Sequence, residues 1–187
     1  MSAGHLGPEW VTGADGVPFR RAARVLLLDA ADRVLLVRGH DVDQPERSWW
    51  FTVGGGIDAG ETPEQAAVRE LAEETGLRIT ETELVGPVLT RSAIFDFFHQ
   101  DVRQDEVFYL ARIDDPGEVD RSGWTDIERA FMDEIRWWPA AELAQCEIEV
   151  FPHELPEGVA ELVAGWDGVV RHLGLQDDDT AGEAVPT

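Results

Sequence analysis

Residues 55–77 constrain this chain more than any other stretch, because they join a glycine turn, a helix with its own start and stop signals, and a cluster of acids. They read Gly55-Gly-Ile-Asp-Ala-Gly-Glu61-Thr62-Pro63-Glu-Gln65-Ala-Ala-Val-Arg69-Glu70-Leu71-Ala-Glu73-Glu74-Thr-Gly76-Leu77. Thr62 is placed to cap a helix, Pro63 suits the first helical position, and Gln65 three residues after the cap completes a capping box. Gly76 is placed to end it.

At about 100° per residue, Glu70, Glu73 and Glu74 share one helix face, and Val68, Leu71 and Thr75 gather on another that can pack inward. The acids are therefore expected to converge outside the core. Anions held so close repel one another, and a compact hard cation with oxygen ligands relieves that repulsion. Mg²⁺ is the natural choice, with Mn²⁺ as a substitute. Taken alone, Glu-x-x-Glu-Glu reads better as the solvated face of an acidic protein; the residues around it reverse that preference.

Those residues resemble the Nudix box, whose pattern is Gly, five residues, Glu, seven residues, then Arg-Glu-aliphatic-x-Glu-Glu-x-Gly-aliphatic. All nine constrained positions are met. The resemblance implies that Glu70, Glu73 and Glu74 are metal ligands, with the Gly55 carbonyl adding another, and that Arg69 with Glu61 braces the loop against the helix. It implies the Nudix fold, an α/β/α sandwich with a mixed β-sheet and the box as loop-helix-loop. Trp50 before the turn and Arg136-Trp-Trp-Pro-Ala-Ala-Glu-Leu143 later in the chain fit as well. One position departs: many members carry proline before the paired glycines, where this chain has Val53 ahead of Gly54-Gly55-Gly56.

Length and charge bound the rest. A chain of 187 residues with 43% hydrophobic content makes one domain with room for a core. The expected layout is an N-terminal extension or edge strand over 1–19, the domain over 20–174, and an acidic, disordered tail over 175–187. The 38 acids outnumber 15 bases, all arginine, for a net charge of −23, so long nucleic acid would meet a repulsive field. Cys146 alone permits no internal disulfide, and the N-terminus lacks a signal-peptide pattern. No stretch approaches a membrane span. These features lead us to expect a cytoplasmic protein without membrane or long nucleic-acid partners. Homodimerisation, common among relatives, is the further expectation.

Short apolar runs at 24–29 and 33–38, separated by Ala30-Ala-Asp32, predict a hairpin. Strands are expected at 49–53, 84–90, 93–98, 106–112 and 135–138, a helical turn at 139–143 and a second helix over 156–172. This alternation of strands and helices predicts an α/β domain.

The resemblance implies attack of water on a nucleoside diphosphate linked to another moiety, of ADP-ribose or nucleotide-sugar type. A pyrophosphatase clearing modified (d)NTPs and a non-hydrolytic nucleotide sensor are the alternatives. The water's proton needs a carboxylate acceptor, for which Glu73 and Glu74 rank first. Outside the box, Glu106 and Glu128 are candidate site acids, and Arg91 and Arg103 candidate phosphate contacts. Each reads as readily as an ordinary surface residue. Of the aromatic groups Trp49-Trp50-Phe51, Phe95-Phe97-Phe98 and Trp137-Trp138, some can stack on a base, although core packing is the commoner role. Phe95 and Phe97 are expected on one strand face and Phe98 on the other. His99 is a minor candidate for substrate contact, and the histidines show no zinc-ligand spacing.

Overall fold

The computed structural model describes residues 6–97 and 99–179. Its elements run β1 (Val11–Thr12), β2 (Pro18–Asp29), β3 (Arg33–His40), β4 (Ser48–Gly56), α1 (Pro63–Thr75), a 3₁₀ turn (Glu81–Glu83), β5 (Val85–Asp96), β6 (Asp101–Ile113), α2 (Asp126–Phe131), β7 (Met132–Pro139), α3 (Ala140–Leu143), β8 (Glu149–Val150), α4 (Leu155–Val163) and β9 (Arg171–Asp177). The hairpin between β2 and β3 follows from its turn residues. Asp29 accepts hydrogen bonds from the Ala31 and Arg33 N–H groups (2.9 and 2.8 Å), and Asp32 adopts φ 56°, a conformation Asp tolerates.

The strands form a mixed sheet in the order β7-β3-β4-β2-β6-β5-β9, with β1 pairing on β2 and β8 on β4. β2 and β6 lie parallel along Phe19–Asp29 and Arg103–Ile113, and β5 pairs in parallel with β9. Because strand side chains alternate, β2 supplies two cores at once. Val25 and Leu27 join Val37, Val53 and the Ala66, Ala67 and Leu71 stripe of α1. Leu26 and Leu28 join Trp50, Phe108, Leu143 of α3, and Leu155 and Val159 of α4. Helices thus cover both faces, as the α/β/α sandwich requires. No helix among the described residues is long and apolar enough to cross a membrane.

α1 begins and ends where its caps dictate. The Thr62 side chain accepts from Gln65 N–H, the Gln65 side chain accepts from Thr62 N–H, and Gly76 closes the helix at φ 74°. Other expectations are corrected. The strands expected at 84–90 and 93–98 are one, β5; Phe98 lies outside the described residues. The helix expected over 156–172 stops at Val163, because Gly165 and Gly168 take φ 115° and 85°, and Arg171 and His172 then open β9. The tail expected to be disordered from 175 continues β9 to Asp177, and Asp178 is buried, its N–H donating to the Ile94 carbonyl (2.9 Å). Residues 180–187 lie outside the described set. Helix α2 was unexpected, although Thr125 and Glu128 form a capping box that the sequence displays.

Gly54 fixes how closely β4 approaches β2. It sits at φ 133°, and a Cβ there would lie 2.2 Å from the Ala23 carbonyl oxygen. Gly54→Ala is expected to lower unfolding free energy by at least about 1–3 kcal/mol, read as a lower urea midpoint at an unchanged m-value.

Candidate active site

Where β4 runs out, Gly54-Gly55-Gly56 lies against α1. Gly54 N–H donates to Glu74 Oε2 (2.9 Å), and a Cβ on Gly55 would lie 2.7 Å from the Glu70 carboxylate. The absence of a Cβ at Gly55 is what leaves the Glu70 carboxylate its place beside the strand. Arg69 ties this turn to the preceding loop. Its Nε and one terminal nitrogen donate to the two Glu61 oxygens (both 2.8 Å), and it also reaches the Gly56 carbonyl (2.9 Å), Glu70 (2.8 Å) and Glu73 (3.1 Å). The hydrogen bond from Arg69 holds Glu61 below the usual carboxylate range. The same contact raises Arg69 further above neutrality.

Oxygen atoms of Glu70, Glu74 and Glu128 all lie within 4.8 Å of one another. The acids were expected to face away from the core; instead Glu74 is only 3% exposed and Glu70 9%. The helix period explains this: at about 100° per residue both fall inside the buried arc from Ala66 to Thr75, and Glu73 falls just beyond its edge. Glu73, with a side chain 54% exposed, is not one of the three converging acids. Burial, and then the Glu70 charge, pushes Glu74 well above the ordinary carboxylate range. Glu70 is likewise raised by burial, against the pull of Arg69. Glu128 arrives on α2, near the start of that helix.

Beside this cluster opens a cavity of about 470 Å³. Its floor arises from a change in one face of the sheet. Along β2, the apolar Leu28 and Leu26 give way at the same period to Arg24 and Arg20. Along β6, Leu110 and Phe108 give way to Glu106 and Gln104. Arg24 Nε donates to Glu106 Oε1 (2.8 Å), and Arg91 pairs with the other Glu106 oxygen from the facing position on β5. Gln104 donates to Glu106 (2.7 Å) and accepts from Arg20, which also pairs with Glu9 (3.1 Å). Arg91 reaches onward to Asp178 (2.9 Å). Burial alone would raise Glu106, but the Arg91 and Arg24 guanidiniums outweigh it and hold the carboxyl at about 2. Burial raises Asp178 and prevails over the pull of Arg91, lifting it to about 6.

The structure therefore brings together most of the residues singled out in the sequence. Glu106 and Glu128 both line the cavity. Arg91 does too, but its charge is already matched by Glu106 and Asp178. Arg103 does not line it; that residue pairs with Asp15 (3.5 Å) and lies over Phe19. His99 is highly exposed, pairs with Asp43 (2.8 Å), and is likewise absent from the lining. Trp49, Phe51, Phe95 and Phe97 line the cavity, whereas Trp50 and Trp138 meet edge-on in the second core, 5.4 Å apart. Sequence reasoning missed Glu9, Trp10, Arg20, Arg24 and Asp178. For Arg24 the signal was available, as a charge inside a strand that is otherwise apolar.

Glu106 is 4% exposed, and two guanidiniums depend on it. Glu106→Gln is expected to cost about 3–5 kcal/mol in unfolding free energy by leaving buried charge unmatched. Because the folded carboxyl sits below its ordinary value of 4.5, its contribution is present above that value and is lost as pH falls toward 2. Acid unfolding curves of the variant should therefore lose part of the wild-type slope between pH 4.5 and 2.

Comparison with known proteins follows the same lines. The model of the NUDIX domain matches residues 18–160. An RNA pyrophosphohydrolase of Rhodospirillum rubrum is 42% identical over 73 residues, 39% of this chain and 42% of that protein. One from Dinoroseobacter shibae is 38% identical over 69 residues, 37% and 41% of the two chains. The chain thus spans about two fifths of the length of the curated relatives it matches. Among solved structures, a C. elegans Ap4A hydrolase aligns with TM-score 0.55 at 18% identity, covering 79% of this chain and 99% of that one. The NUDIX domain of Shewanella oneidensis NrtR, solved with ADP ribose, aligns at 0.55 and 23%, covering 77% and 88%. At these identities the structures show a shared fold. With a complete box, its sandwich and a domain match over most of its length, this chain belongs to the NUDIX family.

Proposed function

We propose that the chain hydrolyses the phosphoanhydride of a nucleoside diphosphate linked to a second moiety, of the ADP-ribose or nucleotide-sugar type, using Mg²⁺ or Mn²⁺. The observation that carries this reading is the convergence of Glu70, Glu74 and Glu128 within 4.8 Å, two of them buried and without a matching guanidinium for each charge. An all-oxygen donor set of this kind suits a hard divalent cation. Glu70, Glu74 and Glu128 would hold it, with the Gly55 carbonyl and Glu73 beside them. Bound there, the cation supplies charge neutralisation for the diphosphate and a more acidic water.

The protein's own groups do the rest. Arg69 fixes Glu70 and the glycine turn in place. Gly54 N–H orients Glu74 by occupying one of its oxygens. Glu73, outside the three-acid cluster and open to solvent, is the carboxylate best placed to accept the proton of the attacking water; Glu74 is the other candidate. The Glu106 network presents a floor in which guanidiniums and carboxylates balance, so phosphate charge must be met at the acidic cluster.

The two relatives compared above are named RNA pyrophosphohydrolase, which raises a polyanionic substrate as a second reading. A net charge of −23 opposes it, and a small nucleotide crosses that field with fewer charges. A homodimer and a cytoplasmic location complete the proposal.

The test is phosphate release, coupled to a phosphatase, from ADP-ribose, nucleotide sugars, dinucleoside polyphosphates, NADH and normal and oxidised (d)NTPs, each with Mg²⁺ and with EDTA. One EDTA-sensitive member of the ADP-ribose or nucleotide-sugar group is expected. Preference for a (d)NTP would move the substrate class, and silence with tight nucleotide binding would make the protein a sensor. Glu73→Gln and Glu74→Gln should each lower kcat by a factor of about 10²–10⁴ with the fold retained; full activity in both would remove the assignment.

A further inference from the structure

The family match ends where two parts of the cavity wall begin. Residues 6–10 precede the matched region and 171–179 follow it, yet Glu9, Trp10 and Asp178 all line the cavity. The first segment is seated by ion pairing and stacking: Glu9 accepts from Arg20, and the Arg20 guanidinium lies 4.4 Å over the Trp10 ring. Trp10 in turn faces Phe97, with ring centroids 6.3 Å apart and planes 23° from parallel, and Phe95 meets Phe97 edge-on. The second segment reaches the same end of the cavity. Asp178 N–H donates to Ile94 O, the Asp178 carbonyl accepts from Arg47 (2.7 Å), and Asp179 accepts from Asp96 N–H, so the strap is bonded on both sides of Phe95. Asp178 Oδ1 takes the Arg91 hydrogen bond; Oδ2 has no hydrogen-bond partner among the described residues.

We propose that these two flanks form the subsite for the base of the substrate, Trp10 and Phe97 stacking a planar heterocycle and Asp178 Oδ2 accepting a hydrogen bond from its exocyclic amine. The inference rests on the proposed hydrolase reading and narrows it to amino-bearing bases such as adenine. Aromatic faces bind any base, so they supply affinity without choice. An acceptor covered by the base and left unmatched by a keto oxygen supplies the choice, because the group then loses its water without gaining a partner. As a carboxylate, Asp178 can only accept.

The experiment compares kcat/KM for ADP-ribose, its hypoxanthine counterpart IDP-ribose, and a base-free ribosyl diphosphate, in wild type, Trp10→Leu and Asp178→Asn, with thermal melts to confirm folding. Wild type should favour adenine over hypoxanthine by about tenfold or more. Asp178→Asn, which can donate to the hypoxanthine oxygen, should shrink that ratio about tenfold. Trp10→Leu should lower both base-bearing substrates about tenfold relative to the base-free one. Equal losses on all three substrates, or an unchanged adenine preference in Asp178→Asn, would overturn the subsite. If wild type hydrolyses none of them, the hydrolase reading fails. Calorimetric binding of ADP against IDP to the same three proteins then decides the subsite on the same ratios.

Discussion

Placing carboxylates in a poorly solvated pocket is the constraint on which the rest of this molecule turns. A buried anion is tolerated when a cation sits against it and is destabilising when another anion does. Both situations occur within one cavity. On the floor, Glu106 lies between Arg24 and Arg91, and Glu9 and Asp178 sit at the outer ends of the same network. On the wall, Glu70, Glu74 and Glu128 converge, and the guanidinium that pairs with Glu70, Arg69, is already shared with Glu61. The two neighbourhoods push their acids in opposite directions, Glu106 down and Glu74 up. A divalent cation at the wall would make the two equivalent.

The fold serves this arrangement through backbone as much as through side chains. Gly55 leaves room for the Glu70 carboxylate, the Gly54 N–H holds Glu74, and the packing of Ala66, Ala67 and Leu71 against the sheet turns both acids inward. The parallel pairing of β2 with β6 then sets Arg24 beside Glu106, while the antiparallel pairing of β5 with β6 places Arg91 directly opposite it. One sheet face is thereby apolar under α3 and α4 and charged beyond them.

Much of this was legible in the sequence where the signal was local. The cap at Thr62, the stop at Gly76 and the hairpin at Asp32 depend on residues a few positions apart, and the structure shows each; the pairing of Arg69 with Glu61, implied by the Nudix resemblance, is present too. What stayed hidden depends on distant pairing. The helix period groups Glu70 and Glu74 with Ala66, Ala67 and Leu71, but that this arc is the one packed inward depends on the sheet beneath α1, which the helix's own sequence does not name. Arg103 and Arg91 look alike as sequence, yet only the strand register carries Arg91 into the cavity. Asp178 lay in a stretch whose acidity suggested disorder; its order comes from β5, more than eighty residues away in the chain.

The most direct measurement is the Mg²⁺ dependence of the thermal midpoint for wild type and Glu74→Gln. Binding to the folded state alone raises stability by mass action. If the converging acids are a cation site, wild type will melt at rising temperature as Mg²⁺ is added. The variant will melt higher than wild type in EDTA, relieved of a buried repulsion, and will respond weakly to the ion. Parallel responses in the two proteins, or none in wild type, would contradict the account.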